Sequence, residues 1–297
     1  MPSVRSLYQS AGFRVGTFEC QPGDPAWAAE NNIGDGYHVV FPGTPVLIAQ
    51  AGAPEIVASP NHAVFYNPGQ AYRRGLLSPS GDRCLFVRTS SDALAGGAEA
   101  WGLPLDTASP RSFPFVDGPL DRATYRRQRL LGQYLQETSS PDDLLVQETI
   151  LNLVGQAIRD AFAVRGTRTD PRRRAADSRR AALVEEAKSI VATRFREAIG
   201  LDGLARMLDV SPFHLARVFR ARTGYSLHRY RAELRLRAAL DLLAGGPWDL
   251  TSIALDLGYA SHSHFSDAFQ RAFGVTPSAY RAAARTTVRR PLSFLRA

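Results

Sequence analysis

From Phe13 to about Thr89 the apolar positions fall in short runs divided by turn residues. Tyr37-His38-Val39-Val40-Phe41, Val46-Leu47-Ile48-Ala49, His62-Ala63-Val64-Phe65-Tyr66 and Cys84-Leu85-Phe86-Val87 are rich in β-branched and aromatic types. Pro42-Gly43, Pro68-Gly69 and Pro79-Ser80-Gly81 interrupt them. Short strands at this spacing predict an antiparallel β-barrel or sandwich. After Arg122 the period becomes helical, over 126–135 and then 142–163. In the second segment Val146, Ile150, Leu153, Val154, Ile158 and Ala161 recur at steps of three and four. Such a stripe must be covered, either by the β-domain or by its copy in a second subunit.

Gly166 to Arg180 has no apolar period and carries five arginines after Pro171. It reads as a solvated linker and a domain boundary, placing domains at 1–163 and 181–285, a linker at 164–180 and a tail at 286–297. Helical periodicity returns in 182–199, with Leu183, Ala187, Ile190, Val191 and Phe195 on one side, and in 227–243, with Tyr230, Leu234, Ala238 and Leu242. Arg229, Arg231, Arg235 and Arg237 are expected on the free surface of that second helix. Gly245-Gly246-Pro247 is expected to end it, and Asp249 to cap the next.

The C-terminal region repeats itself. Leu204-Ala205 matches Ile253-Ala254 at an offset of 49 residues, whereas Leu215, Val218, Phe219 and Gly224 match Phe265, Ala268, Phe269 and Gly274 at an offset of 50. The one-residue change falls between two short helices, where an insertion costs least. Each copy is a helix, a turn and a second helix. In that second helix one face is apolar, and the other presents Phe213, Ala216, Arg217 and Arg220 in the first copy and Ser263, Ser266, Asp267 and Gln270 in the second. A helix anchored on one side and open on the other is what a major groove admits.

Charge separates the two halves. Residues 1–170 hold 14 basic and 17 acidic residues, a net −3, whereas residues 171–297 hold 22 basic and 11 acidic, a net +11. A polyanionic partner belongs on the second half. The two cysteines, Cys20 and Cys84, form no C-x-x-C pair and read as apolar fillers. The sequence offers neither a signal-peptide pattern at Met1–Glu19 nor a run of 18 apolar residues, so a cytoplasmic protein is expected, with no membrane partner.

The segment Gly258-Tyr259-x-Ser261-x-Ser263-His264-Phe265-x-x-x-Phe269-x-x-x-Phe273-Gly274-x-x-Pro277-x-x-Tyr280-Arg281 resembles the signature of the AraC/XylS family of bacterial transcription regulators. That resemblance covers about Leu183 to Arg281. It implies an all-α domain with two helix-turn-helix units joined by a long helix, and double-stranded DNA as partner. Base contacts in such proteins come from early positions of each second helix: here Phe213, Ala216 and Arg217, then Ser263 and Asp267 with His262 and Ser266 beside them. Arg217 is the leading candidate for guanine O6 and N7, and Arg220, Arg222 and Arg271 are candidates for the phosphate backbone. Asp267 departs from the family pattern, where arginine is frequent; an aspartate can accept from cytosine but is repelled by phosphate. His264 is expected to pack beside Phe265, and Tyr230 and Tyr280 to brace the core.

The N-terminal half resembles, less specifically, the cupin-like sensor domains often joined to this family, and so implies a barrel with trailing helices. In the segment Asn67-Pro68-Gly69-Gln70-Ala71-Tyr72 a tyrosine stands near the place of a cupin metal-ligating histidine, and His38 and His62 are unpaired. No metal, cofactor or catalytic residue is therefore expected. Tyr66, Tyr72, Arg73 and Arg74 are candidates to face a small, anionic effector, with ordinary turn and surface roles as the alternative. The expected function is effector-controlled transcription regulation by a homodimer that contacts RNA polymerase. The alternatives are an enzyme fused to a DNA-binding module (a cysteine-based transferase or a cupin-type enzyme) and a helical protein-interaction adaptor.

Overall fold

The structure, a computed structural model, describes residues 2–27, 29–109, 111–164, 174–245 and 248–286. The chain divides into two compact units, 1–169 and 170–297. Residues 165–173 of the expected linker, 287–297 of the expected tail, and Gly246-Pro247 lie outside the described residues.

Among the described residues the first unit contains ten strands: β1 (Ser3–Gln9), β2 (Phe13–Cys20), β3 (Asn31–Asn32), β4 (Tyr37–Pro42), β5 (Val46–Gln50), β6 (Ile56–Ala58), β7 (His62–Tyr66), β8 (Ala71–Leu76), β9 (Asp82–Thr89) and β10 (Asp117–Pro119). They form two sheets. The larger has the order β1-β2-β9-β4-β7-β10 and the smaller β3-β8-β5-β6. Helices α1 (Ser91–Trp101), α2 (Arg122–Glu137) and α3 (Asp143–Val164) accompany them.

The expected cupin-like barrel is not formed. Neither sheet closes: β1 and β10 remain edges of one, and β3 and β6 of the other. The chain crosses between sheets after β2, β3, β4, β6, β7 and β8, so successive strands seldom pair. The edge strands β3 and β6, of two and three residues, are too short to carry a ladder around to the larger sheet. The result is a layered arrangement in which the large sheet is covered on both faces.

Register explains the layers. Val15 pairs with Val87, Val87 with Val39 and Val39 with Phe65, giving a row across four strands in which every side chain is fully buried. This face meets the helices: Phe65 packs edge-on against Phe115 and Phe115 against Phe162 of α3. The residues one step along each strand point to the small sheet, where Val64 and Tyr66 join Val46, Ile48, Ile56 and Ala58 in a second cluster. Val146, Ile150, Leu153, Val154, Ile158 and Ala161 of α3 are all buried within this unit. The stripe is thus covered by the chain's own sheet and helices, not by a second copy.

The regular elements among the described residues of the second unit are all helices: α4 (Arg174–Arg194), α5 (Leu201–Met207), α6 (Pro212–Thr223), α7 (Leu227–Gly245), α8 (Leu250–Asp256), α9 (His262–Phe273) and α10 (Pro277–Thr286). Helix α4 starts and ends earlier than the 182–199 pattern suggests. Its buried face is Val184, Ala187, Lys188, Val191 and Ala192, offset from the expected stripe and including the chain's sole lysine, whose ammonium lies 2.9 Å from Glu185. Among the described residues no helix is long and apolar enough to cross a membrane.

Candidate nucleic-acid interface

Helices α5 and α6 form one helix-turn-helix unit and α8 and α9 the other. Their turns are built alike. Leu208 and Leu257 close the first helices, and the next residue in each case, Asp209 or Gly258, takes a left-handed backbone at φ 51° or 77°. The chain then extends to an N-cap serine, Ser211 or Ser261, whose hydroxyl accepts from the backbone amide of His214 at 3.2 Å or His264 at 3.1 Å. The second turn holds one residue more, Ala260, which accounts for the change of repeat offset. Both second helices end at a left-handed glycine, Gly224 or Gly274. Each serine satisfies an amide that would otherwise lack a partner, so Ser211→Ala or Ser261→Ala should lower stability by about 1 kcal/mol in urea titrations.

The anchored face of α6 is Leu215, Val218 and Phe219, all buried, and that of α9 is Phe265, Phe269 and Phe273. Ala268, expected inward, is half-buried. Opposite these, Phe213 is 79% exposed and Arg217 and Arg220 are exposed. Ala216 sits half-buried at the margin. On α9, His262, Ser263, Asp267 and Gln270 are exposed, and Ser266, half-buried, lies 3.3 Å from His262 Nε2. The two sets therefore share one kind of surface on each helix. Other cations are already engaged: Arg222 approaches Asp177 of α4 at 3.9 Å, and Arg271 Nε donates to the Asp267 carbonyl at 3.1 Å. His264 is exposed, with its ring edge-on to Tyr259, and Tyr280 packs against Phe269.

Arg229 of α7 is exposed as its spacing suggests, but Arg231, Arg235 and Arg237 are not surface decoration. Arg237 is buried beside the buried Glu233, at 3.9 Å. Arg231 donates to the Ile199 carbonyl at 2.5 Å. Arg235 donates to the carbonyls of Phe195 at 2.6 Å, Glu197 at 3.0 Å and Gly258 at 2.8 Å. One guanidinium thus ties the end of α4 to the turn of the second helix-turn-helix unit. Helix α7, with 19 residues, is about 28 Å long at 1.5 Å per residue. A stiff rod fastened at both units fixes their spacing. Sequence periodicity alone missed this role, although the four-residue step between Arg231 and Arg235 was a visible sign of a shared face.

In the first unit, Tyr66, Tyr72 and Arg74 line a cavity of about 380 Å³ between the two sheets. Arg73 does not: alternation along β8 turns it outward, where it pairs with Glu30 at 3.2 Å. Arg14 and His38, which the sequence did not single out as effector contacts, line the same cavity. Burial brings the His38 pKa down to about 4. Burial also pushes both thiols, Cys20 and Cys84, up and away from the nucleophilic thiolate.

A double helix-turn-helix domain with two outward-facing second helices is the class that this geometry defines. The family described as a helix-turn-helix domain matches residues 204–283. The HTH-type transcriptional regulator GlxA of Rhizobium meliloti is 41% identical over 90 residues, 30% of this chain and 28% of that protein. The regulatory protein SoxS of Salmonella typhimurium is 36% identical over 85 residues, 29% of this chain but 79% of that protein. An AraC-type transcriptional regulator structure from Chromobacterium violaceum is 31% identical, with 37% of this chain and 96% of that one covered and a TM-score of 0.34. The chain belongs to the AraC/XylS-type helix-turn-helix transcriptional regulators. The match spans under a third of GlxA and of the regulatory protein PocR, and it lies in the C-terminal part of this chain.

Proposed function

We propose that the protein is a sequence-specific DNA-binding transcription regulator whose N-terminal unit senses a small-molecule effector. The carrying observation is the pair of second helices, α6 and α9, each pinned by buried aromatic or aliphatic side chains and each open on the opposite side. In this reading residues 181–285 bind DNA. Arg217 and Phe213 with Ala216 read bases from α6; Ser263 and Asp267, flanked by His262 and Ser266, read from α9; Arg220, Arg222 and Arg271 stand near phosphates. Residues 1–163 hold the effector, and effector binding changes DNA affinity because the two states bind it unequally. The protein acts as a homodimer and contacts RNA polymerase. Since the α3 stripe is already covered, a second copy pairs through another surface.

The test is affinity for DNA selected from a random pool, compared with scrambled DNA over a salt series. Phosphate neutralisation predicts a linear fall of log affinity with log salt, with a slope near −0.9 per phosphate contacted. Selected DNA should bind about 10³-fold or more tightly than scrambled. Equal binding of both, or none that responds to salt, would favour a protein-interaction adaptor.

A further inference from the structure

The cavity of the first unit carries a charge that its lining does not balance. Its floor on the large sheet includes Val40, Val64 and Phe86, and its roof on the small sheet Val46, Ile48 and Ala58. Into this apolar space projects Arg74, whose side chain is only 2% exposed. Its guanidinium lies over the Phe18 ring at 4.4 Å and near Trp27 at 5.7 Å. Nη1 reaches Asp82 at 3.4 Å and Nη2 reaches Asn31 at 3.3 Å, both long for charged hydrogen bonds. Nε is buried with no acceptor among the described residues, and so is Nε of Arg14.

A buried cation normally has close, complete hydrogen bonding, because leaving water costs several kcal/mol. Here two arginines and one aspartate line the same cavity. His38, the other titratable nitrogen there, is held neutral near pH 7 by burial, and burial also pushes the Asp82 carboxyl up, away from its charged form. Two arginines against one aspartate leave the lining short of one negative charge, and the donor without an acceptor is Nε of the planar Arg74 guanidinium. A carboxylate fits that edge with two parallel acceptors. Four aromatic rings share the remaining surroundings with the aliphatic side chains of floor and roof: Phe18, Phe86, and Tyr66 with Tyr72, whose rings are 5.0 Å apart.

We infer that this cavity binds a small aryl carboxylate, with its acid group on the free Nε edge of Arg74 and its ring between the two sheets. The inference rests on the effector-sensing reading for its biological use, but the binding site stands or falls without DNA.

Calorimetry of the full chain with 2-naphthoate, neutral 2-naphthalenemethanol and acetate tests it. The acid should bind once per chain, at least about tenfold more tightly than the alcohol or acetate. In Arg74→Met with Asp82→Asn, which removes both charges together, the acid should bind no better than the alcohol. Ala58→Phe, which fills the apolar space and leaves the ion pair, should abolish binding of both. Equal affinity for acid and alcohol in the parent protein, an unchanged preference in the double variant, or no saturable binding at millimolar acid would overturn the inference. Salt-sensitive DNA binding together with no acid binding sinks this site alone. Acid binding that leaves affinity for selected DNA unchanged sinks effector control alone.

Discussion

Replacing Gly258 by alanine is expected to destabilise the second unit by about 3–5 kcal/mol, as read by urea unfolding of the full chain. Two costs combine. A Cβ at φ 77° is strained by about 1–2 kcal/mol. That Cβ would also overlap the backbone carbonyl oxygen of Arg196 and stand 2.6 Å from Arg235 Nη2. Backbone cannot yield cheaply, so the Arg235 bridge between α4 and this turn must open, with loss of charged hydrogen bonds worth about 1.5–3 kcal/mol each. The first unit provides an internal control. Asp209 holds the corresponding left-handed place at φ 51°, so a side chain is tolerated there. Asp209→Gly should change stability by less than about 1 kcal/mol. Similar losses at the two positions would contradict the role given to the Arg235 bridge.

Arg217→Ala is expected to reduce discrimination between selected DNA and a single-base variant by about 1–3 kcal/mol, with the loss confined to one guanine. Arg217 is exposed on the open face of α6, two positions after the buried Leu215 and one before the buried Val218, so its guanidinium is presented while its backbone is fixed. A bidentate contact needs the planar fork, and Arg217→Lys should recover little of the loss. Arg220→Ala is the contrasting case. It should weaken all DNA nearly equally and lower the salt slope by about one. A uniform loss on replacing Arg217 would reassign it to the phosphate backbone.

What the sequence made legible follows from period and repetition. The helices of the second unit were readable because their faces recur in steps of three and four and their turn residues recur at fixed offsets. The strands β4, β5, β7 and β9 were readable from their apolar runs. Helix α1 was not: its buried face is Leu94 with the small Gly97 and Ala98, which leaves no apolar stripe to read, and its start depends on the Ser90 cap. Sheet pairing was not readable either, because a run such as Val46–Gln50 records which side chains face inward and not which strand lies beside it. A barrel and two stacked sheets impose the same alternation, which is why the expected barrel gave way. In the candidate interface, exposure of Phe213 and Arg217 followed from the helical face. The engagement of Arg231, Arg235 and Arg237 did not, since a buried arginine and a solvated one look identical in a charge count. Arg73 and Arg74 show the same limit: adjacent in sequence, they lie on opposite sides of β8.

The most direct test of the paired-helix account is photo-crosslinking to selected DNA from a benzophenone side chain placed singly at Phe213, at Ser263 and at the exposed Leu144 of the first unit. Crosslinks from positions 213 and 263 to neighbouring major-groove segments about one helical turn apart, with none from 144, are the predicted result. Crosslinking from 144 with silence at 213 and 263 would contradict it.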